Sequence, residues 1–237
     1  MTQKGQVLEV TLNRPQEGNS ATDDMAAELT RLLEGAGDAD LVILRGAGDD
    51  FCVGRSSMGR RPDGRNPEAL ARRRSTEVIF DCYNAFRKTP VPVIGVVQGR
   101  ALGFGCSIAA LCDITIASDR AIFQVPEMAH NILPTMVMSA LSDRLGRKGL
   151  LYLVYSTAAV DAERAMNLGL VSEVVPANEL EQAVQRMSAA ILSAPRPARL
   201  GVKEYARSAL HMDTQGAIDF ARNLHATINS SSEMGRK

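Results

Sequence analysis

The sequence predicts an α/β protein whose strands are joined by helical crossovers. Three observations carry that reading. Short, continuous apolar runs at 41–44, 92–97 and 113–117 are too brief for helices and lack polar alternation, as expected of strands covered on both faces. Stretches with apolar residues at helical spacing lie between them, so the strands must be connected through crossovers. From Thr135 onward the pattern is mostly helical.

The elements follow in order. Gln6 to Leu12 alternates and is rich in β-branched residues, which predicts a strand ended by Asn13-Arg14-Pro15. Ser20, with Asp23 three residues on, is expected to cap a helix carrying Met25, Leu29, Leu32 and Leu33 and stopped by Gly35 and Gly37. The strand Leu41–Leu44 leads into a loop, Gly46 to Gly59, rich in glycine and small residues, and then into a polar connector, Arg60 to Asn66. A helix is expected from about Glu68 to Arg87. The strand Pro92–Val97 runs directly into Gly99-Arg100-Ala101-Leu102-Gly103-Phe104-Gly105 and an apolar helix through Ala110. Asp113–Ala117 and Ala121–Phe123 read as further strands, the second short. Asp161 caps a helix closed by Gly169, and Val171–Val175 is extended. Helices near 177–192, 196–210 and 213–229 complete the chain. The break at Ala194-Pro195-Arg196-Pro197 divides a core, 1–190, from a helical tail, 191–237.

Composition excludes several classes. The 237 residues hold 27 Lys+Arg and 27 Asp+Glu, a formal net charge of zero, whereas nucleic-acid binders normally carry a basic excess. No nucleic-acid partner is therefore expected. Arg60-Arg61-Pro62-Asp63-Gly64-Arg65 and Arg72-Arg73-Arg74 are local basic patches, readable as solvated faces or as contacts for a ligand's phosphates. No apolar run approaches the roughly 20 residues of a membrane span. The N-terminus lacks a charged-then-apolar leader. A cytoplasmic protein without a membrane partner is the expectation. Cys52, Cys82, Cys106 and Cys112 form no CxxC pair and have no histidines at zinc spacing, so reduced, buried thiols and no metal are expected. P-loop, dinucleotide and G-x-S-x-G patterns are missing; Ser56 in G-R-S-S-M-G has the wrong spacing. His130, His211 and His225 have no sequence neighbours that announce a triad, and each reads first as a surface or satisfied core histidine.

Two glycine-bearing strand ends stand out. Gly54-Arg55-Ser56 follows one buried strand, and glycine there lets backbone approach a ligand closely. Gly103-Phe104-Gly105 opens a helix after another, where the first amides lack intrahelical partners and carry the positive end of the dipole. By themselves, glycines at tight turns read first as structural.

The segments LNRP (12–15), FCVGRSSM (51–58), PVIGVVQGRALGFGCSIAALCDITIAS (92–118), FQVPE (123–127) and AERAMNLGLVSEVVP (162–176) together resemble the crotonase, or enoyl-CoA hydratase/isomerase, superfamily, collinearly from about residue 7 to 230. The resemblance implies a β/β/α spiral core with a C-terminal helical region, assembled as a homotrimer or a dimer of trimers. It implies an acyl-CoA thioester substrate and no cofactor beyond the coenzyme A of that substrate. It places the thioester oxygen in an oxyanion hole formed by the backbone N–H groups of Arg55 and Phe104. It lines the CoA and acyl site with Gln16, Glu17, Gly18, Gly54, Ser56, Ser57, Met58, Gly103 and Ser107.

Hydratases of this family use two glutamates. Ser107 stands at the first of those positions, and Glu127 keeps the second. Serine does not ionise usefully near neutral pH, so it is a poor substitute in adding water across a double bond. Bulky residues at Pro134-Thr135-Met136-Val137-Met138 replace a glycine-rich stretch and leave less room for water. One glutamate suffices to move a proton from C2 to C4 of a 3-enoyl thioester. The resemblance thus favours a 3,2-enoyl-CoA isomerase with Glu127 as the base. The alternatives are a hydratase or another chemistry of the family (hydrolysis, decarboxylation), or a non-catalytic acyl-CoA binder. The competing reading of Glu127 is an exposed or ion-paired glutamate; His130, three residues on, adjoins the site only if that stretch turns, and Asp113 is expected to be structural.

Overall fold

The computed structural model describes residues 2–4, 7–56 and 68–235. Ser57, Met58 and the Arg60–Arg65 patch lie outside the described residues. The elements are β1 (Thr2–Lys4), β2 (Val7–Leu12), α1 (Asp23–Glu34), β3 (Leu41–Gly46), α2 (Ala69–Lys88), β4 (Val93–Val97), β5 (Arg100–Leu102), α3 (Phe104–Leu111), β6 (Ile114–Ser118), β7 (Ile122–Gln124), α4 (Thr135–Leu141), α5 (Arg147–Ser156), β8 (Val160–Asp161), α6 (Ala162–Leu168), β9 (Glu173–Val175), α7 (Leu180–Ser193), α8 (Arg196–Ala209) and α9 (Thr214–Asn229).

Two sheets organise them. The larger has the order β1-β2-β3-β4-β6-β9, parallel throughout except for the β1–β2 hairpin. The smaller has the order β5-β7-β8, with β5–β7 parallel and β7–β8 antiparallel. Successive residues of a strand face opposite sides, and here both sides are covered. Val42, Leu44, Val93 and Val97 join the main core with α1, α2 and α3, while Leu41, Ile43, Ile94, Val96 and Ile116 pack on Ala183 and Val184 of α7. That double covering is why these strands read as unbroken apolar runs. All eight residues of α3 are buried, so its sequence shows no polar face.

Two expectations are corrected. Thr22, not Ser20, caps α1, its hydroxyl accepting from the Met25 amide at 3.1 Å. The chain is still extended at Ala21, which bridges Arg55, so the helix cannot begin earlier. The segment after β4 is not a single turn into a helix, because Arg100–Leu102 forms β5 and starts the second sheet.

Buried ion pairs dock the C-terminal helices. Lys203 of α8 donates to both carboxylate oxygens of Asp113, at 2.7 and 2.6 Å. Arg196 and Arg199 both pair with buried Asp40. Burial alone would raise the Asp40 pKa, but hydrogen bonds and charge from the two guanidinium groups outweigh it and hold the carboxyl below its usual range. All four cysteines are buried thiols. Burial pushes Cys52 up to about 11 and Cys82 and Cys106 up to about 12. Among the described residues no helix is long and apolar enough to cross a membrane.

Candidate active site

The two glycine-bearing strand ends meet. Cys52 bridges Ala101, with the Leu102 amide donating to the Cys52 carbonyl at 2.9 Å. Farther along, Ala21 donates to the Gly54 carbonyl and Ser56 donates to the Ala21 carbonyl, both at 2.8 Å. In a parallel bridge of this kind the middle residue's own amide points away from its partner. Arg55 is that residue, and among the described residues its N–H has no protein acceptor. Phe104 is the first residue of α3, and its N–H likewise has none. Glycine holds the two segments at this separation. A Cβ on Gly105 would lie 2.0 Å from the Cys52 carbonyl oxygen, and Gly54 has φ 116°, a conformation that side chains resist.

The Arg55 side chain turns away from these amides. Its guanidinium donates to Asp23 at 2.6 and 3.1 Å and to the Ser75 carbonyl at 3.4 Å, linking the start of α1 to α2. Ser56 sends its hydroxyl to the Ala21 carbonyl at 3.0 Å.

Glu127 arrives from the smaller sheet. It follows β7 on a short 3-10 turn, Glu127–His130, and its Oε1 sits over Gly103, where an added Cβ would be 2.7 Å away. Gly103 has φ 51° and ψ −111°, a conformation that side chains resist. Its amide donates to the Gln124 carbonyl at 2.9 Å. Glu127 Oε2 is buried and has no hydrogen-bond partner among the described residues. Burial raises the carboxyl above its ordinary value of 4.5, with the residue's own backbone amide and His130 offsetting part of the rise. His130 itself is exposed, beside the carboxylate in sequence and not enclosed with it. Gly103→Ala should therefore cost on the order of 1–3 kcal/mol from backbone strain, and displace the Glu127 carboxylate besides. Denaturant unfolding measures the first effect.

Ser107 is completely buried, and its hydroxyl donates to the Gly103 carbonyl one turn back, at 3.1 Å. It packs into α3 as a neutral group. Gln16, Glu17 and Gly18 form the turn after β2, with Gln16 and Glu17 exposed and Gly18 at φ 58° against Val53. The structure brings that turn to the Arg55 loop through the Val53 amide, which donates to the Gly18 carbonyl at 2.9 Å.

Sequence reasoning missed two residues. Asn19 is buried with φ 56°; its side-chain amide donates to the carbonyls of Ala47 and Asp50 at 2.8 and 2.7 Å, and its oxygen accepts from Arg14 at 2.8 Å. It ties the 13–19 turn to the loop that carries Arg55. A Gly-Asn pair between a strand and a helix was the available signal. Tyr83, on α2, stacks on Phe104 with ring centroids 5.8 Å apart. Nothing in the helical spacing of α2 distinguishes it from an ordinary core residue.

Among the described residues the arrangement offers two backbone amides without protein acceptors, on segments joined by the Cys52–Ala101 bridge, and a Glu127 carboxylate oxygen without a partner. Comparisons with known proteins show the family and the fold. The family described as enoyl-CoA hydratase/isomerase matches residues 2–237. The short-chain-enoyl-CoA hydratase of Clostridium acetobutylicum is 30% identical over 225 residues, covering 93% of this chain and 85% of that relative. A solved enoyl-CoA hydratase from Mycobacterium smegmatis matches with a TM-score of 0.89 at 28% identity, covering 96% of this chain and 89% of that one. A Thermobifida fusca protein solved in complex with acetoacetyl-CoA matches with a TM-score of 0.83 at 28% identity, covering 95% of this chain and 92% of that one. The spiral α/β fold expected from the sequence motifs is the fold these structures share with this chain.

Proposed function

Because the chain belongs to the enoyl-CoA hydratase/isomerase family, we propose that it binds an acyl-CoA thioester and isomerises a 3-enoyl-CoA to the conjugated 2-enoyl-CoA with Glu127 as its only base. The observation that carries this reading is Glu127, with Oε1 over Gly103 and Oε2 buried and unpaired among the described residues, and neutral Ser107 where a second carboxylate would stand. The thioester oxygen accepts from the Arg55 and Phe104 amides. Each such donor, aimed where negative charge develops, contributes roughly 3–4 kcal/mol to the transition state. Glu127 takes the C2 proton, and the C–H electron pair moves into the C1–C2 bond as the oxygen gains charge. Returning the proton at C4 shifts the double bond from C3–C4 to C2–C3. Atoms and charge balance without a cofactor or co-reactant.

The remaining parts of the site serve binding in this reading. The turn Gln16 to Gly18 and the loop Gly54 to Ser56 line the CoA side, with Ser57 and Met58 continuing that loop outside the described residues. Assembly as a homotrimer or a dimer of trimers belongs to the same proposal. Exposed Val202, Leu210 and Ile218 in the C-terminal helical region supply apolar surface for it, and light scattering in solution measures the mass.

The test is direct. Purified protein mixed with a 3-enoyl-CoA should generate the absorbance of the conjugated thioester. Rapid hydration of crotonyl-CoA with no isomerisation would overturn the isomerase reading in favour of the hydratase activity named in its relatives. The pH profile is a second measurement. A base must be ionised, and burial raises Glu127 above 4.5, so activity should rise with pH through a limb lying above the ordinary carboxylate range. A limb at or below 4.5 would contradict the assignment of Glu127.

A further inference from the structure

The Phe104 ring does not face solvent. It lies under the ring of Tyr83, with centroids 5.8 Å apart and planes inclined by 21°, and both residues are buried. Phe104 carries one of the amides assigned to the thioester. Tyr83 also borders a cleft of about 270 Å³ between α2, α4 and the end of α8, lined as well by Phe80, Asn84, Arg87, Asp143 and His211. Tyr83 thus packs on the side chain of an amide-bearing residue on one side and borders the cleft on the other.

The cleft is unsuited to hydrocarbon. Arg87 grips Asp143 at 2.7 and 3.1 Å and donates to the carbonyls of Ser139 and Ala140 at 2.8 and 3.2 Å. An alkyl tail laid there would strip water from polar groups without giving them hydrogen bonds. Meanwhile α4, which packs on α3, brings partly buried Met136 and Met138 against the same core. A long acyl chain that followed Phe104 would meet a filled wall, and polar ground behind it.

We propose that the stacked Tyr83 and Phe104 rings form the end wall of the acyl site and restrict the substrate to short acyl groups. The proposal rests on the acyl-CoA reading above and names its substrate class. Titration calorimetry of butyryl-, hexanoyl-, octanoyl- and decanoyl-CoA tests it without needing turnover. For the wild type and Tyr83→Phe, which keeps the ring, affinity should fall at least about tenfold between butyryl- and octanoyl-CoA, or about 1.4 kcal/mol. Tyr83→Ala vacates the volume of the ring itself, apolar space beside Phe104 and short of the polar cleft, and should recover part of that loss for octanoyl-CoA. If Tyr83→Ala does not fold, Tyr83→Leu, which shortens the wall but keeps an apolar filler, carries the same comparison. Wild-type protein that holds decanoyl-CoA as tightly as butyryl-CoA would overturn the proposal. So would a folded Tyr83→Ala or Tyr83→Leu protein with an unchanged octanoyl-to-butyryl ratio. A chain-length break without isomerase activity would support the wall and overturn only the isomerase reading, whereas failure to bind any acyl-CoA would overturn both.

Discussion

Glu127→Gln is expected to lower isomerisation of a 3-enoyl-CoA by roughly 10²–10⁴-fold, the scale of a positioned general base. Glutamine keeps the shape of the side chain, and the Arg55 and Phe104 amides are untouched, so affinity for a saturated acyl-CoA should stay close to that of the wild type. The same substitution should stabilise the fold at neutral pH. Burial raises the folded-state pKa of Glu127 above its unfolded value of 4.5, so ionisation at Glu127 is a cost borne by the folded protein. That cost is fully present above the folded pKa. It fades as pH falls through the window between the raised value and 4.5, and it is absent below. The melting-temperature gain of the glutamine variant should follow that sign. A residue that costs stability and activates chemistry is what a catalytic base requires.

Lys203→Met is expected to destabilise the fold strongly. The ammonium of Lys203 sits almost fully buried between α8 and the core, donating to both Asp113 oxygens and, at 3.4 Å, to the Phe86 carbonyl. Methionine fills the volume but leaves Asp113 charged, with the Val93 amide, at 2.8 Å, as its remaining donor. Breaking a buried pair costs 3–5 kcal/mol; with the Asp113 side chain 24% exposed, the cost here should be about 3 kcal/mol. For a chain of this size that corresponds to roughly 6–12 °C in melting temperature. Adding Asp113→Asn should recover part of the loss by removing the unpaired charge. A double variant no more stable than Lys203→Met alone would show that packing, and not charge, dominates this contact.

Much of the architecture was visible in residues 41–44, 92–97 and 113–117, because strands covered on both faces need no polar alternation. The Asp161 cap before α6 was visible too, and the start of α2 near residue 68 was placed to within one residue. The start of α1 was misplaced because Ser20 and Thr22 are equally good caps locally, and a distant partner, Arg55, decides between them. The second sheet escaped for a related reason: Arg100–Leu102 is only three residues long and exists through its pairing with β7. At the site, glycines marked both amide-bearing turns. Neither the missing partner of Glu127 Oε2 nor the ring of Tyr83 behind Phe104 follows from spacing, since both arise where segments remote in sequence close on one another.

Solvent exchange at the carbon next to the thioester probes the amides of Arg55 and Phe104 and the Glu127 base together. Butyryl-CoA, which cannot isomerise, should be incubated with the protein in D₂O and examined by proton NMR or mass spectrometry. Two amides stabilising an enolate and one carboxylate moving its proton predict protein-dependent deuterium at C2, lost in Glu127→Gln. A wild-type protein that binds butyryl-CoA yet leaves its C2 protons unexchanged would contradict the account.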